Sequence, residues 1–233
     1  MKDDFTTVVA VDQQHAAELE RVWPSWRDLK PELLERPILL LADERLGLAA
    51  AKRLAAAREH PACAVAVVPD DKPDWSQRER MLAALTLMAP WLVHTEWLLK
   101  IDTDAHATAA GDWIPVGIDG TPCVLCASPW GYTKPADAIQ RLDDWGDTVP
   151  ELAGRPRLNL PFDPSARSVR TKGRFISWLC FGKTAWLRWA AGLCGKRLPV
   201  PSHDTLLSYI CQRTATSWLP IRFKNFGWKH GRQ

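Results

Sequence analysis

The chain has 233 residues, enough to bury a full core, and 30 Lys+Arg against 27 Asp+Glu leave a formal net charge of +3, too mild by itself to indicate a nucleic-acid or membrane partner. It has no uninterrupted apolar run of about 18 residues, and Met1-Lys2-Asp3-Asp4 lacks a signal peptide's apolar core, so the expectation is a cytoplasmic protein without a membrane span. Six scattered cysteines are too sparse for a secreted disulfide framework, and Cys123-Val-Leu-Cys126, inside an apolar run with no second pair, reads as reduced buried thiols.

Thr7 to Val11 reads as a buried strand, followed by a helical stretch from about His15 to Leu29 interrupted at Pro24. Pro37 to Ala42 reads as a second strand, the Ala/Arg-rich segment Arg45 to Glu59 as a helix, and Cys63 to Val68 as a third strand. This βαβαβ order implies a parallel sheet covered on both faces. A polar turn, Pro69-Asp70-Asp71-Lys72-Pro73-Asp74, leads to a long helix from Ser76 to about Glu96 with a kink at Pro90. A fourth strand follows, and later strands at Pro122 to Ala127 and Phe175 to Phe181 flank a helix from Pro135 to Trp145. A Pro/Arg-rich loop of about twenty residues, Pro150 to Gly173, is long enough to suggest a functional lid or binding loop. Helices from Lys183 to Cys194 and from Ser202 close the pattern, which contains no internal repeat.

The fourth strand ends Leu99-Lys100-Ile101-Asp102-Thr103-Asp104. In an extended segment side chains alternate, so Asp102 and Asp104 should project the same way and require a counter-cation. Hard divalent ions are held by one or two carboxylates plus substrate phosphates, and ligands bind at the carboxyl ends of open α/β sheets. The bland reading is two acids solvating a turn.

The order of nucleotide-binding half, long helix, Asp102-Thr103-Asp104, Ser202-His203-Asp204-Thr205 and terminal Phe226-Gly227-Trp228-Lys229-His230-Gly231 resembles a metal-dependent GT-A glycosyltransferase. The resemblance implies one GT-A-like three-layer α/β/α domain over 1–233 with a mostly parallel central sheet, a nucleotide-binding half at about 1–105 and an acceptor half at about 106–233. It implies Mn²⁺ or Mg²⁺ on Asp104, Asp102 and His230, with Asp102 facing the donor's ribose or a metal-bound water. A UDP-sugar is the expected donor, and Asp204 the base of an inverting transfer. Such families more often carry two adjacent acids where this chain has His203-Asp204.

Asp70, Arg78, Arg80 and Lys100 are further candidates for donor contacts, although Asp70 also suits an ordinary turn and exposed arginines usually only meet solvent. Asp204 has a plain alternative as a first-turn acid of a helix capped by Ser202. Of 13 tryptophans, Trp91, Trp97, Trp178, Trp186 and Trp189 read as core, while Trp130 and Trp228 lie in loop-like segments where a ring can stack on an acceptor. Arg155, Arg157, Arg167, Arg170, Lys172 and Arg174 in the long loop suit a phosphate, and Arg170 is the acceptor contact taken from them. The acceptor is open between a glycan, a small molecule and a modified nucleic-acid base. Two other readings stand beside transfer: a metal-dependent nuclease or phosphotransferase, and a non-catalytic nucleotide- or nucleic-acid-binding domain.

Overall fold

The computed structural model describes residues 4–56, 63–71, 74–114, 123–130, 133–170 and 174–231. In chain order these form β1 (Phe5–Val11), α1 (Gln13–Leu29), β2 (Ile38–Asp43), α2 (Leu48–Ala56), β3 (Cys63–Val68), α3 (Gln77–Ala83), α4 (Ala89–Leu92), β4 (Trp97–Ile101) and β5 (Ala105–Ala107). The second half adds β6 (Leu125–Trp130), β7 (Thr133–Pro135), α5 (Ala136–Thr148), β8 (Phe162–Asp163), β9 (Ser168–Arg170), β10 (Phe175–Lys183), α6 (Thr184–Cys194), α7 (His203–Arg213), β11 (Trp218–Pro220) and β12 (Trp228–His230).

A seven-stranded sheet, ordered β11-β6-β10-β4-β1-β2-β3, divides the molecule. Its pairings are parallel except those of β10, which runs antiparallel to both β4 and β6. The pleat sorts side chains into two cores. Phe5, Val9, Ile38, Leu40, Trp97, Leu99 and Ile101 face the layer that contains α1, whereas Val8, Leu39, Leu41 and Leu98 face the layer of α3, α6 and α7. Helices on both faces make the expected three layers. The alternation of β4 also places Lys100 on the side of α7. No helix among the described residues is long and apolar enough to cross a membrane, and the six cysteines are not joined in disulfides.

Several elements depart from the sequence pattern. Helix α1 runs through Pro24 without interruption, because Pro24 and Glu20, whose carbonyl loses its partner, both lie on the solvent face. The segment Arg45 to Glu59 begins as a 3-10 turn at Glu44–Leu46, breaks at Gly47, whose φ is +81°, and becomes helical only from Leu48; residues 57–62 lie outside the described ones. The long helix from Ser76 is three pieces and ends at Leu92. Ser76 and Glu79 form a reciprocal cap, a π-helical turn spans Ala84–Met88, and Pro90 occupies the first turn of α4, where a missing N–H costs nothing. The strand expected at Pro122 to Ala127 is shifted to Leu125–Trp130. The loop from Pro150 to Gly173 is not wholly irregular, since β8 and β9 join β7 in a small antiparallel sheet. Trp91 and Trp189 are not core: they are 57% and 38% exposed, with the Arg188 guanidinium over the Trp91 ring.

Candidate metal and nucleotide site

Past Ile101 the chain stops being extended. The Ala105 N–H donates to the Asp102 carbonyl at 3.1 Å, closing a tight turn. The carboxylates therefore meet through a turn and not through the two-residue pleat that the sequence suggested. Beyond the turn, β5 pairs with β12 and sets His230 opposite Ala105. The His230 Nε2 lies 3.3 Å from Asp102 Oδ2 and 3.1 Å from Asp104 Oδ1. One ligand atom from each of the three residues falls within 4.8 Å of the others.

The fit to a divalent cation rests on the chemistry of these donors. Two carboxylates and an imidazole are oxygen and nitrogen ligands suited to Mn²⁺ or Mg²⁺, with further positions left for water and phosphate oxygens. Within the chain, the His230 imidazole and the Lys100 ammonium face these carboxylates. Burial works against charge on His230, but its hydrogen bonds to Asp102 and Asp104 push it up to about 9. Burial likewise opposes ionisation of Asp102, yet the neighbouring Lys100 ammonium and His230 hold its carboxyl at about 2.

Lys100 is only 4% exposed. Its Nζ lies 2.7 Å from Asp102 Oδ1 and 3.2 Å from both oxygens of Asp204. Burial would discharge it, but the two carboxylates raise its pKa above the ordinary lysine value. Lys100 is thus the link between the Asp102–Asp104–His230 cluster and the start of α7, and both of its charged partners are carboxylates of this chain. Ser202 caps α7 by accepting the Thr205 N–H at 3.3 Å, so Asp204 belongs to the first turn while also facing Lys100. His203, 3% exposed, faces the π-helical turn: Thr86 Oγ1 donates to the Leu82 carbonyl at 2.8 Å and lies 2.9 Å from His203 Nδ1. With its own hydrogen already given away, Thr86 accepts, which fixes the Nδ1–H tautomer. Burial drives His203 down to about 4, so it is neutral.

A cleft of about 680 Å³ opens beside the cluster, lined by Asp102, Asp104 and His230, by Asp12, His15 and Glu18 around the start of α1, and by Gln77 and Arg78 from α3. Asp12 caps α1 through the His15 N–H at 2.9 Å and holds the His15 Nδ1 at 2.6 Å. Thr103 Oγ1 donates to Glu18 at 3.3 Å.

The candidates taken from the sequence divide accordingly. Asp102, Asp104, His230, Lys100 and Asp204 come together, and Arg78 lines the cleft. Arg80 does not reach it: the side chain is 2% exposed and is bound to Asp43 at 3.2 Å and Asp70 at 2.7 Å. Asp70 is taken up by Arg80 and by Arg45 at 2.6 Å. Trp228 is not an acceptor platform, being 1% exposed and packed 5.0 Å from Trp113 and 6.1 Å from Trp26. Arg170 is exposed on β9. The Trp130 side chain lies outside what the structure describes. Residues not singled out as site candidates also matter. Trp178, read only as core, stacks on the His230 ring at 5.4 Å and 13°, and His15, Asp12 and Gln77 line the cleft.

Sheet order, layers and the acidic turn at the end of β4 define a GT-A fold. No protein-family model matches the chain, and no curated protein matches it in sequence. Solved structures do match in fold. The mannosyltransferase Ktr4p from S. cerevisiae in complex with GDP aligns with 98% of this chain and 71% of its own at 10% identity and a TM-score of 0.65. Core-mannan synthase A from Aspergillus fumigatus in its Mn/GDP form aligns with 98% and 75% at 15% identity and a TM-score of 0.60. The bifunctional glycosyltransferase WbbM in its apo form aligns with 95% of this chain but only 39% of its own, at 11% identity and a TM-score of 0.52. The chain spans well under half of WbbM and about three quarters of the two fungal proteins.

Proposed function

We propose that this protein is a divalent-metal-dependent glycosyltransferase that moves a sugar from a nucleoside diphosphate to an acceptor hydroxyl with inversion. The observation that carries the reading is the convergence of Asp102, Asp104 and His230 at the mouth of a cleft at the carboxyl edge of a GT-A sheet. Two structures of the same fold hold GDP, one of them with Mn, so Mn²⁺ with GDP- and UDP-sugars are the first components to test.

Asp102, Asp104 and His230 would hold the cation, which supplies positive charge against the negative charge of the departing diphosphate. The chain's own residues do the rest. Lys100 fixes Asp102 and Asp204 on either side of one ammonium. Asp204, 22% exposed in its side chain, has carboxylate lone pairs beyond those facing Lys100 and accepts the acceptor's proton as that oxygen attacks the anomeric carbon. Arg78 and the start of α1 line the space for the nucleotide. The nuclease alternative is less well served, because among the described residues no third acid joins the metal group.

A panel of GDP- and UDP-sugars with Mn²⁺, read as release of free sugar, tests the proposal. Slow donor hydrolysis that a chelator abolishes is the expected result. A protein that binds no nucleoside diphosphate with or without metal would refute it. Retention at the product's anomeric centre would overturn the inverting assignment alone.

A further inference from the structure

The proposed transfer leaves the arginines of the long loop without a task. Residues 155–159 of that loop pack near the end of α7 and the start of β10 and line a second, solvent-open cavity of about 750 Å³. Arg155, Arg157, Arg174 and Arg213 line it together with Gln212 and Trp218, and among the described residues no carboxylate does. Its volume falls in the range of small-ligand sites.

The four guanidiniums are not equivalent. The Arg213 side chain is fully buried and bound to Asp143 at 3.1 Å and Asp147 at 3.0 Å, which makes it a rigid wall. Arg157 is paired with Asp147 at 2.6 Å and Asp144 at 3.2 Å. Arg155 gives only its Nε to the Glu151 carbonyl at 3.2 Å, and among the described residues neither Arg155 nor Arg174 has a carboxylate partner. Both are exposed. Two guanidiniums without counter-ions offer paired N–H donors suited to a phosphate or carboxylate.

Helix α7 relates this cavity to the candidate base. It begins with Asp204 beside Lys100 and ends with Arg213 at the cavity wall, nine residues or about 13 Å along its axis. In between, Ser208 accepts the Ile176 N–H and Gln212 donates to the Arg174 carbonyl, which locks the helix to β10.

We infer that this second cavity is an oxyanion-binding subsite for a phosphate or carboxylate of the acceptor, at the opposite end of the helix that begins beside Asp204. Its identity as an anion site stands on the cavity itself, whereas its assignment to the acceptor rests on the glycosyltransferase reading.

Calorimetric titrations with pyrophosphate and with glucuronate, each in excess chelator so that the metal cluster takes no part, test the subsite. Saturable binding by the wild-type protein, weakened at least tenfold in the Arg155→Gln/Arg174→Gln double variant at an unchanged thermal midpoint, is the expected result. Tighter pyrophosphate binding assigns a phosphate source, and tighter glucuronate binding a carboxylate source. Absence of binding by both anions, or equal affinity in the double variant, overturns the inference. So does binding of a single-stranded oligonucleotide alone, which would make the face a nucleic-acid surface. A wild-type protein that binds either anion yet turns over no nucleotide sugar keeps the anion site and removes its assignment to an acceptor.

Discussion

Asp104 and Asp204 stand at the two ends of a chain of charges, Asp104–His230–Asp102–Lys100–Asp204, in which each group is placed by the next. Removing the first should act on the cation alone. Asp104→Ala is expected to abolish metal-dependent nucleoside diphosphate binding while the fold persists, because this carboxylate is partly exposed and anchors no core contact. Calorimetry with metal and with chelator checks it, and equal affinities in the wild-type protein would contradict the assignment. Asp204→Asn keeps the shape and the first-turn hydrogen-bonding capacity but loses the proton acceptor, so transfer should fall by on the order of 10²-fold or more with donor binding retained. Near wild-type turnover would make Asp204 a helix-terminus acid and nothing further.

At the scale of elements, the tail is a strand sewn into the core. Gly227 has a φ of +75°, and a Cβ there would meet the Ala109 backbone at 2.5 Å, so only glycine lets the chain pass. Lys30 is buried and donates to the Phe226 and Gly111 carbonyls at 2.8 and 3.0 Å, and Trp26 Nε1 donates to the Ala105 carbonyl at 2.6 Å. Deleting 227–233 would therefore remove the buried Trp228 as well as His230, at a cost of about 3–5 kcal/mol for the indole alone. His230→Ala is the cleaner variant: metal affinity should drop at least tenfold with little change in thermal midpoint, and unchanged affinity would make the histidine a bystander. The junction of the π-helical turn with α7 carries a pH response on the acid side. His203 titrates near 4 folded against 6.5 for an ordinary histidine, so the unfolded chain binds more protons between those values. Stability should fall as pH drops from about 6.5 to 4, by at most about 1.4 kcal/mol per pH unit, and His203→Gln should flatten that slope in denaturant titrations.

For the whole molecule, the cleft lies between the first helix, α3, the turn after β4 and the C-terminal strand, so a ligand there ties together segments far apart in sequence. A nucleoside diphosphate with Mn²⁺ at a hundred times its dissociation constant should add about 2.7 kcal/mol of stability. For a chain of this size that is roughly 5–10 °C in thermal midpoint. Nucleotide or metal alone should give less than the pair, and differential scanning fluorimetry across the four combinations reads the difference. Additive, independent shifts would show that they do not share a site.

The sequence by itself determined the βαβαβ half, the apolar strand leading into the acidic pair, and the cap at Ser202, because hydrophobic period and capping chemistry are local properties of a few consecutive residues. It also marked His230 and Asp204, although only through their order along the chain. The tertiary structure alone decided how these groups meet. The carboxylates converge through a turn closed by the Ala105 N–H, Lys100 links strand to helix across 104 positions, Trp178 stacks on His230 from a neighbouring strand, and Arg80 and Trp228 turn inward. Each of these depends on partners distant in sequence, and a buried charge or an exposed indole is settled by what packs against it rather than by its neighbours in the chain.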